Sequence, residues 1–480
     1  MSKLVHNYFY NVLYQLLVFI APIFTAPYLA RVLGADLLGT VNYVITIATV
    51  FTTVGLLGMQ NYAIREIAYV RSDYAKLERC FYELYFARLI IGIITVIAFI
   101  AYVDYAKYPY LMWIELMYVV AVFIDPCWFY IGMEDMGKAV ARNFFAKTVN
   151  IIGIFVLVNT REDYIRYAFL LSFMTLLASL LAMIPLKNYF KLKWYPVDGK
   201  RILAHLRGSL QLFLPQIAMM LYTSVDKILL DHFVSNGAVA FYDQAEKIVK
   251  IPLTFITVLS TVMMPRLANQ LSVGDRSGFQ FHLSETLKFS SMLAFPMMLG
   301  IAGIASTLIP WYLGNEFIEA IPAIWVLSPI IVLCSWTGLS GDQYLVVTKQ
   351  TGYLTISYVA AALVNLVMNF ILIPDWGVVG AALSIVAAYT VILGIQYYIM
   401  LQQMKTLKKE LWHSCFYLIK AVPMFCLVYE LAVLFGPSWK VTVLQVIAGI
   451  VMYGGIMLLC KDPYAKYIAN KMLTGRSLSR

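Results

Sequence analysis

Apolar stretches recur along the chain, each close to the roughly 20 residues a helix needs to cross hydrocarbon, and short polar loops separate them. The pattern predicts about fourteen transmembrane helices, at 8–30, 37–58, 81–102, 109–130, 144–159, 164–186, 209–230, 248–267, 286–312, 320–340, 352–374, 377–401, 413–435 and 441–460. The expected class is an all-α integral membrane protein. The longest hydrophilic interruption, KNYFKLKWYPVDGKRILAHLRG at 187–208, leaves six spans before it and eight after. An internal echo supports a division there. GKAVARNFFAKTVN (Gly137–Asn150) and GYLTISYVAAALVN (Gly352–Asn365) share a Gly and a Val-Asn at the same spacing, and each continues to a Phe, Phe155 and Phe370. They fall on the fifth and eleventh spans. An even shift preserves direction through the membrane, so the repeat is parallel. Pro22 and Pro215, on the first and seventh spans, keep the same offset. The expected organisation is two pseudo-symmetric six-helix lobes, at 1–186 and 209–401, joined by the linker 187–208. Residues 402–480 add two C-terminal helices and a basic tail.

Composition agrees with this pattern. The chain has 480 residues, of which 61% are hydrophobic and 13% charged. Its mean hydropathy of +0.77 lies far from a soluble domain. The net charge of +10 would suit a nucleic-acid binder, but the basic residues sit in the loops between spans. Of 36 Lys and Arg, 26 fall on the side of the N-terminus, 8 on the other side, and Arg88 and Lys420 within spans. By the positive-inside rule both termini are cytoplasmic, with no nucleic-acid partner expected. The first apolar stretch is too long for the core of a cleavable signal and reads as the first helix. The six Cys show no framework spacing, the five His are isolated, and no P-loop, HExxH or GxSxG is present. Neither an ATP-driven pump nor an enzyme is expected, and no cofactor. Repeated lobes, short loops and interior prolines are the features of an alternating-access transporter.

Seven segments carry a family resemblance. APYLARVLGADLLGTVNY (26–43), NYAIREIA (61–68), DPCWFYIGMEDMGKAVARN (125–143), YTSVDKILL (222–230), FYDQAEKIVKIPLTFITVLSTVMMPRLA (241–268), DQYLVVTKQ (342–350) and VNLVMNFILIPDWGVVGAALS (364–384) follow one another in an order similar to that of bacterial polysaccharide flippases. These are Wzx-like members of the MATE-like MOP superfamily, related to lipid II flippases. The resemblance implies translocation of undecaprenyl-diphosphate-linked oligosaccharide units from the inner to the outer leaflet, for capsular or O-antigen-type polysaccharide. Its partners would be membrane lipids, the lipid-linked substrate and a polysaccharide polymerase complex. The alternatives are a MATE-type cation or drug antiporter and a membrane polysaccharide polymerase.

A diphosphate crossing the membrane needs basic donors, and Arg fits phosphate geometry best. Arg65 and Lys247 match cationic positions of the lipid II flippase relatives. Lys250, Lys227, Arg31 and Arg88 are further candidates, set against the alternative that such side chains snorkel or hold topology. In the first span, Phe19 and Thr25 stand where that branch has basic residues, which argues against lipid II itself as cargo. Asp226 with Asn365 and Asn369 resembles a cation-coordinating set, suiting coupling to Na⁺ or H⁺; the alternative is a helix–helix hydrogen-bond cluster. Tyr28, Tyr43, Tyr62 and Tyr242 are candidates to stack on sugars, against the interfacial role most membrane Tyr have. Glu115, Asp125, Lys420 and Glu430 are intramembrane charges without an assigned role.

Overall fold

The computed structural model describes residues 2–190, 198–404 and 407–466, with the side chains of residues 2–20 and of short stretches in 136–141 and 257–265 left aside. All the longer elements among the described residues are helices: α1 (Ser2–Gly55), α2 (Met59–Val70), α3 (Tyr74–Val103), α4 (Pro109–Ile124), α5 (Cys127–Gly132), α6 (Met136–Leu157), α7 (Tyr164–Met183), α8 (Gly199–Phe233), α9 (Asn236–Ser272), α10 (Arg276–Tyr312), α11 (Ala320–Leu327), α12 (Ile330–Gly338), α13 (Thr351–Gln403), α14 (Leu407–Phe435) and α15 (Trp439–Leu459). Nine helical segments among the described residues are long and apolar enough to cross a membrane, so this is a multi-pass membrane protein. Helices α1 and α13 each hold two predicted spans, broken at Gly34 (φ 76°) and Gly377 (φ 53°). Glycine lacks the Cβ that penalises this left-handed backbone, so the chain turns there without leaving helical hydrogen bonding on either side. Helices α6, α8 and α9 coincide with three further predicted spans.

Proline sets the other breaks. The residue before a proline is pushed out of the α region, and Asp125, preceding Pro126, is extended (ψ 117°) and ends α4. The predicted fourth span is therefore α4 plus the short α5. Pro329 separates α11 from α12, which continues as a π-helical turn at Leu339–Val346.

The chain forms two compact units, 1–240 and 241–480. In the first, α4 packs on α7, α3 and α1, while α2 packs on α5 and α8. Helix α8 also packs on α1 and α3. In the second unit, α14 and α15 pack on each other and on α10. Polar groups fix that three-helix contact. Trp311 Nε1 donates to Thr442 Oγ1 (2.8 Å), Thr307 Oγ1 to Gln445 Oε1 (2.6 Å), and Gln445 Nε2 to the Val428 carbonyl (2.7 Å). Where water is scarce, such bonds leave no alternative partner and so set the rotation of one helix against the next. Beside them lies an apolar cavity of about 620 Å³, lined by Met292, Met297, Ile301, Met424, Val446 and Met457 among others.

Candidate functional site

Of the basic candidates, Arg88 has the most decided surroundings. It is 2% exposed on α3. Its guanidinium donates to the Phe123 carbonyl (3.1 Å), the Val122 carbonyl and Gln60 Oε1 (2.7 Å). Those carbonyls belong to the last turn of α4, whose own acceptors are orphaned where Pro126 stops the helix. Three of the Arg88 donors are thus spent on the end of α4 and on Gln60. Asp125, left without a role by the sequence, sits at the same break. It accepts from Cys127 N (3.1 Å) and pairs with Arg142 Nη1 (2.7 Å).

Arg65 is exposed on α2, 3.4 Å from Glu66 and with its guanidinium 5.3 Å from the Tyr62 ring centroid. Behind Tyr62 lies a buried network joining α2, α3 and α8. The Tyr62 hydroxyl is 3.1 Å from His205 Nδ1, and His205 Nε2 is 3.3 Å from Glu83 Oε2. Burial, and after it the Glu66 charge, push the Tyr62 phenol up from its ordinary value. The hydroxyl therefore keeps its proton and can donate it to the ring. Glu83, 4% exposed, also accepts from Arg79 Nε (2.9 Å) and lies 3.7 Å from Arg201 Nη1. Gly58 and Gly208 permit this approach. A Cβ on Gly58 would fall 2.4 Å from the Ser209 carbonyl oxygen, and one on Gly208 would fall 2.6 Å from the Tyr62 ring.

About 40 Å further along α8, at 1.5 Å per residue, a second network ties its other end to the same unit. Lys107 Nζ donates to Asp231 (3.0 Å) and to Asn236 Oδ1 (3.1 Å). The Tyr108 hydroxyl donates to the same Oδ1 (2.7 Å), and Asn236 Nδ2 to Thr40 Oγ1 (2.9 Å). Neither network was among the sequence candidates. Glu83 had a signal, a carboxylate inside a predicted span. The Lys107–Asp231 pair had none, since its partners are far apart in sequence.

The remaining candidates divide by unit. In the first, Asp226 is fully buried on α8, Lys227 is half-buried, and Arg31 is exposed on α1. In the second, Lys247 and Lys250 are exposed on α9, and each pairs with a buried carboxylate one turn back: Lys247 with Asp243 (2.5 Å) and Lys250 with Glu246 (2.6 Å). An acidic residue four positions before a Lys is the favoured order on a helix. Asn365 and Asn369 are fully buried on α13 and bonded to each other (3.0 Å), with Asn365 Nδ2 left without a hydrogen-bond partner.

Of the four tyrosines expected to stack on sugars, Tyr43 (7% exposed), Tyr62 (7%) and Tyr242 (1%) are buried. Tyr28 is partly exposed, but its hydroxyl donates to the Val158 carbonyl (2.7 Å) and its ring packs on Phe155. Lys420 pairs with Asp462 (3.2 Å) over the Tyr417 ring, anchoring the segment after α15, and Glu430 is exposed. Among the described residues, no three His, Cys, Asp or Glu gather as metal ligands.

Comparison with known proteins places this geometry. The chain is similar to a putative O-antigen transporter of Escherichia coli (strain K12), with 21% identity over 387 residues, covering 78% of this chain and 92% of the relative. Its fold is that of a lipid II flippase MurJ in an inward closed conformation (TM-score 0.77, 16% identity, 94% of this chain and 99% of that one). A multidrug resistance MATE family transporter of the MOP superfamily, in an inward-facing conformation, is also similar (TM-score 0.67, 13% identity, 81% and 96%). The family model described as "Polysaccharide biosynthesis protein" matches residues 4–270. More than half of the chain falls within that match, and the chain belongs to this polysaccharide biosynthesis family.

Proposed function

We propose that this protein is a flippase for undecaprenyl-diphosphate-linked oligosaccharides, moving them from the inner to the outer leaflet by alternating access. The observation that carries the reading is the similarity to a putative O-antigen transporter over 92% of that relative's length, in a chain of the polysaccharide biosynthesis family. The charge asymmetry of the loops supports a membrane orientation with both termini inside. The apolar cavity beside α10, α14 and α15 suits a polyprenyl chain, because its lining is almost wholly apolar. A drug exporter of the same fold would have no need of it.

Arg65 in the first unit and, separately, Lys247 and Lys250 in the second are proposed as donors to the diphosphate. Each of these side chains is exposed and held by a single neighbouring carboxylate, so a phosphate group competes for it on equal terms. In proteoliposomes carrying a labelled diphosphate-linked oligosaccharide, Arg65→Ala with Lys247→Ala is expected to slow transport by about tenfold or more, as the loss of charge-assisted bonds to a desolvated anion costs roughly 1.5–3 kcal/mol each. Wild-type rates in the double variant would remove the cationic site.

Cation coupling is proposed at Asp226 and, separately, at the Asn365–Asn369 pair. Exchange of external Na⁺ for K⁺ is expected to slow wild-type transport and to have little effect in Asp226→Asn. An equal response in both proteins would exclude Asp226 from coupling.

A further inference from the structure

We infer that Glu115 is a proton-binding site inside the first unit, independent of Asp226. Glu115 lies in the middle of α4, is 1% exposed, and its Oε1 has no hydrogen-bond partner. Among the described residues no Lys, Arg or His pairs with it. An ionised carboxylate so placed is costly at membrane depth, and it persists only if something neutralises it.

The carboxyl opens into a cavity of about 330 Å³, shared with Asn150, Ser172, Thr175 and Ser179. This is roomy and polar enough for water, which a proton needs in order to arrive and leave. Ser172 Oγ, 1% exposed, is likewise buried without a hydrogen-bond partner.

The charges around the cavity are otherwise accounted for. On α6, Arg142 is committed to Asp125 (2.7 Å), Asn143 and the Ala178 carbonyl, and Lys147 is engaged as well. On α4 itself the titratable neighbours are Tyr118 and Asp125. From α7 the described lining residues bring hydroxyls and apolar groups, and from α1 Ile45, so neither helix adds charge. Arg88, on α3, is turned to the end of α4. A proton satisfies Glu115 without further ligands. A metal ion would need several converging oxygens, and no group of three acidic, His or Cys ligands gathers among the described residues. The site rests on the transport reading only for what its proton would drive.

The test begins with purified protein in detergent, where infrared difference spectra across a pH titration read the C=O stretch of a protonated carboxylic acid. Wild type is expected to show such a band, absent in Glu115→Gln, restored at a shifted frequency in Glu115→Asp, and perturbed but retained in Ser172→Ala. Persistence of an unchanged band in Glu115→Gln overturns the proposal. So does loss of the wild-type band on adding Na⁺ at constant pH, which would make the occupant a metal ion. In proteoliposomes, collapse of the pH gradient is expected to slow wild-type transport by about 5–150-fold, the usual range of coupling between sites, and to leave Glu115→Gln indifferent. A band that depends on Glu115 in a protein that moves no lipid-linked oligosaccharide would keep the proton site and sink the flippase reading instead.

Discussion

Arg142→Ala is expected to destabilise the first unit by about 1–3 kcal/mol, the usual cost of leaving hydrogen-bonded charged groups unsatisfied. The Arg142 side chain is 10% exposed and that of Asp125 23%, and Arg142 Nη1 lies 2.7 Å from Asp125 Oδ1. That same carboxylate oxygen accepts from Cys127 N and so starts α5 after the break at Pro126. The guanidinium also donates to Asn143 Oδ1 and to the Ala178 carbonyl. Removing it strands the Asp125 charge and loosens α6 from α7 in one step. The measurement is thermal unfolding in detergent, followed by the fluorescence of Trp128, which is fully buried in α5. Arg142→Lys keeps the charge but loses the planar fork and is expected to fall in between. Pairing Arg142→Leu with Asp125→Asn is expected to recover part of the loss, because no unpaired charge remains. A single alanine variant that melts with the wild type would show that the pair anchors nothing.

The second large effect is expected at the Lys107 end of α8. A methyl group on Gly39 would lie 1.8 Å from the Asn236 carbonyl oxygen and 2.6 Å from its carbon. Both are backbone atoms at the start of α9, so relief requires moving a helix end and not a flexible side chain. Gly39→Ala is therefore expected to push Asn236 off Thr40 and Tyr108 and to cost about 1–3 kcal/mol by overpacking. Lys107 shares Asn236 Oδ1 with Tyr108, so its amine is expected to become more reactive toward acylating reagents in the variant. Unchanged melting together with unchanged Lys107 labelling would mean that this end of the molecule tolerates the separation. The Gly39–Asn236 approach is among the tightest in the first unit.

These two sites show where sequence reading stops. The spans were legible because burying an unpaired backbone in lipid is prohibitive, which forces long apolar helices into the sequence itself. The break at Gly34 fell between two predicted spans, and that at Gly377 on the first residue of one. Arg65, Lys247 and Lys250 were legible as basic residues near span ends, and all three are exposed. The surroundings of Arg88 were not legible, because a buried guanidinium looks alike in sequence whether it meets a phosphate or the carbonyls of a helix end. Nor was the burial of the tyrosines, since an aromatic ring's period and neighbours along the chain do not say how far it is covered. Lys107 and Asp231 could not be paired at all, since nothing local to either names the other.

The assignment of α8 follows the same division. Its length, its apolar middle and its basic start are properties of a single segment, and hydropathy together with loop charge was enough to place a span there. What it packs against depends on close approaches at Gly58 and at its own Gly208, and on side chains that meet only after the chain has turned several times. Membrane insertion energies act segment by segment and are written along the chain. Ion pairs, helix-end caps and close glycine approaches act between segments, and they arise when helices already formed choose their neighbours.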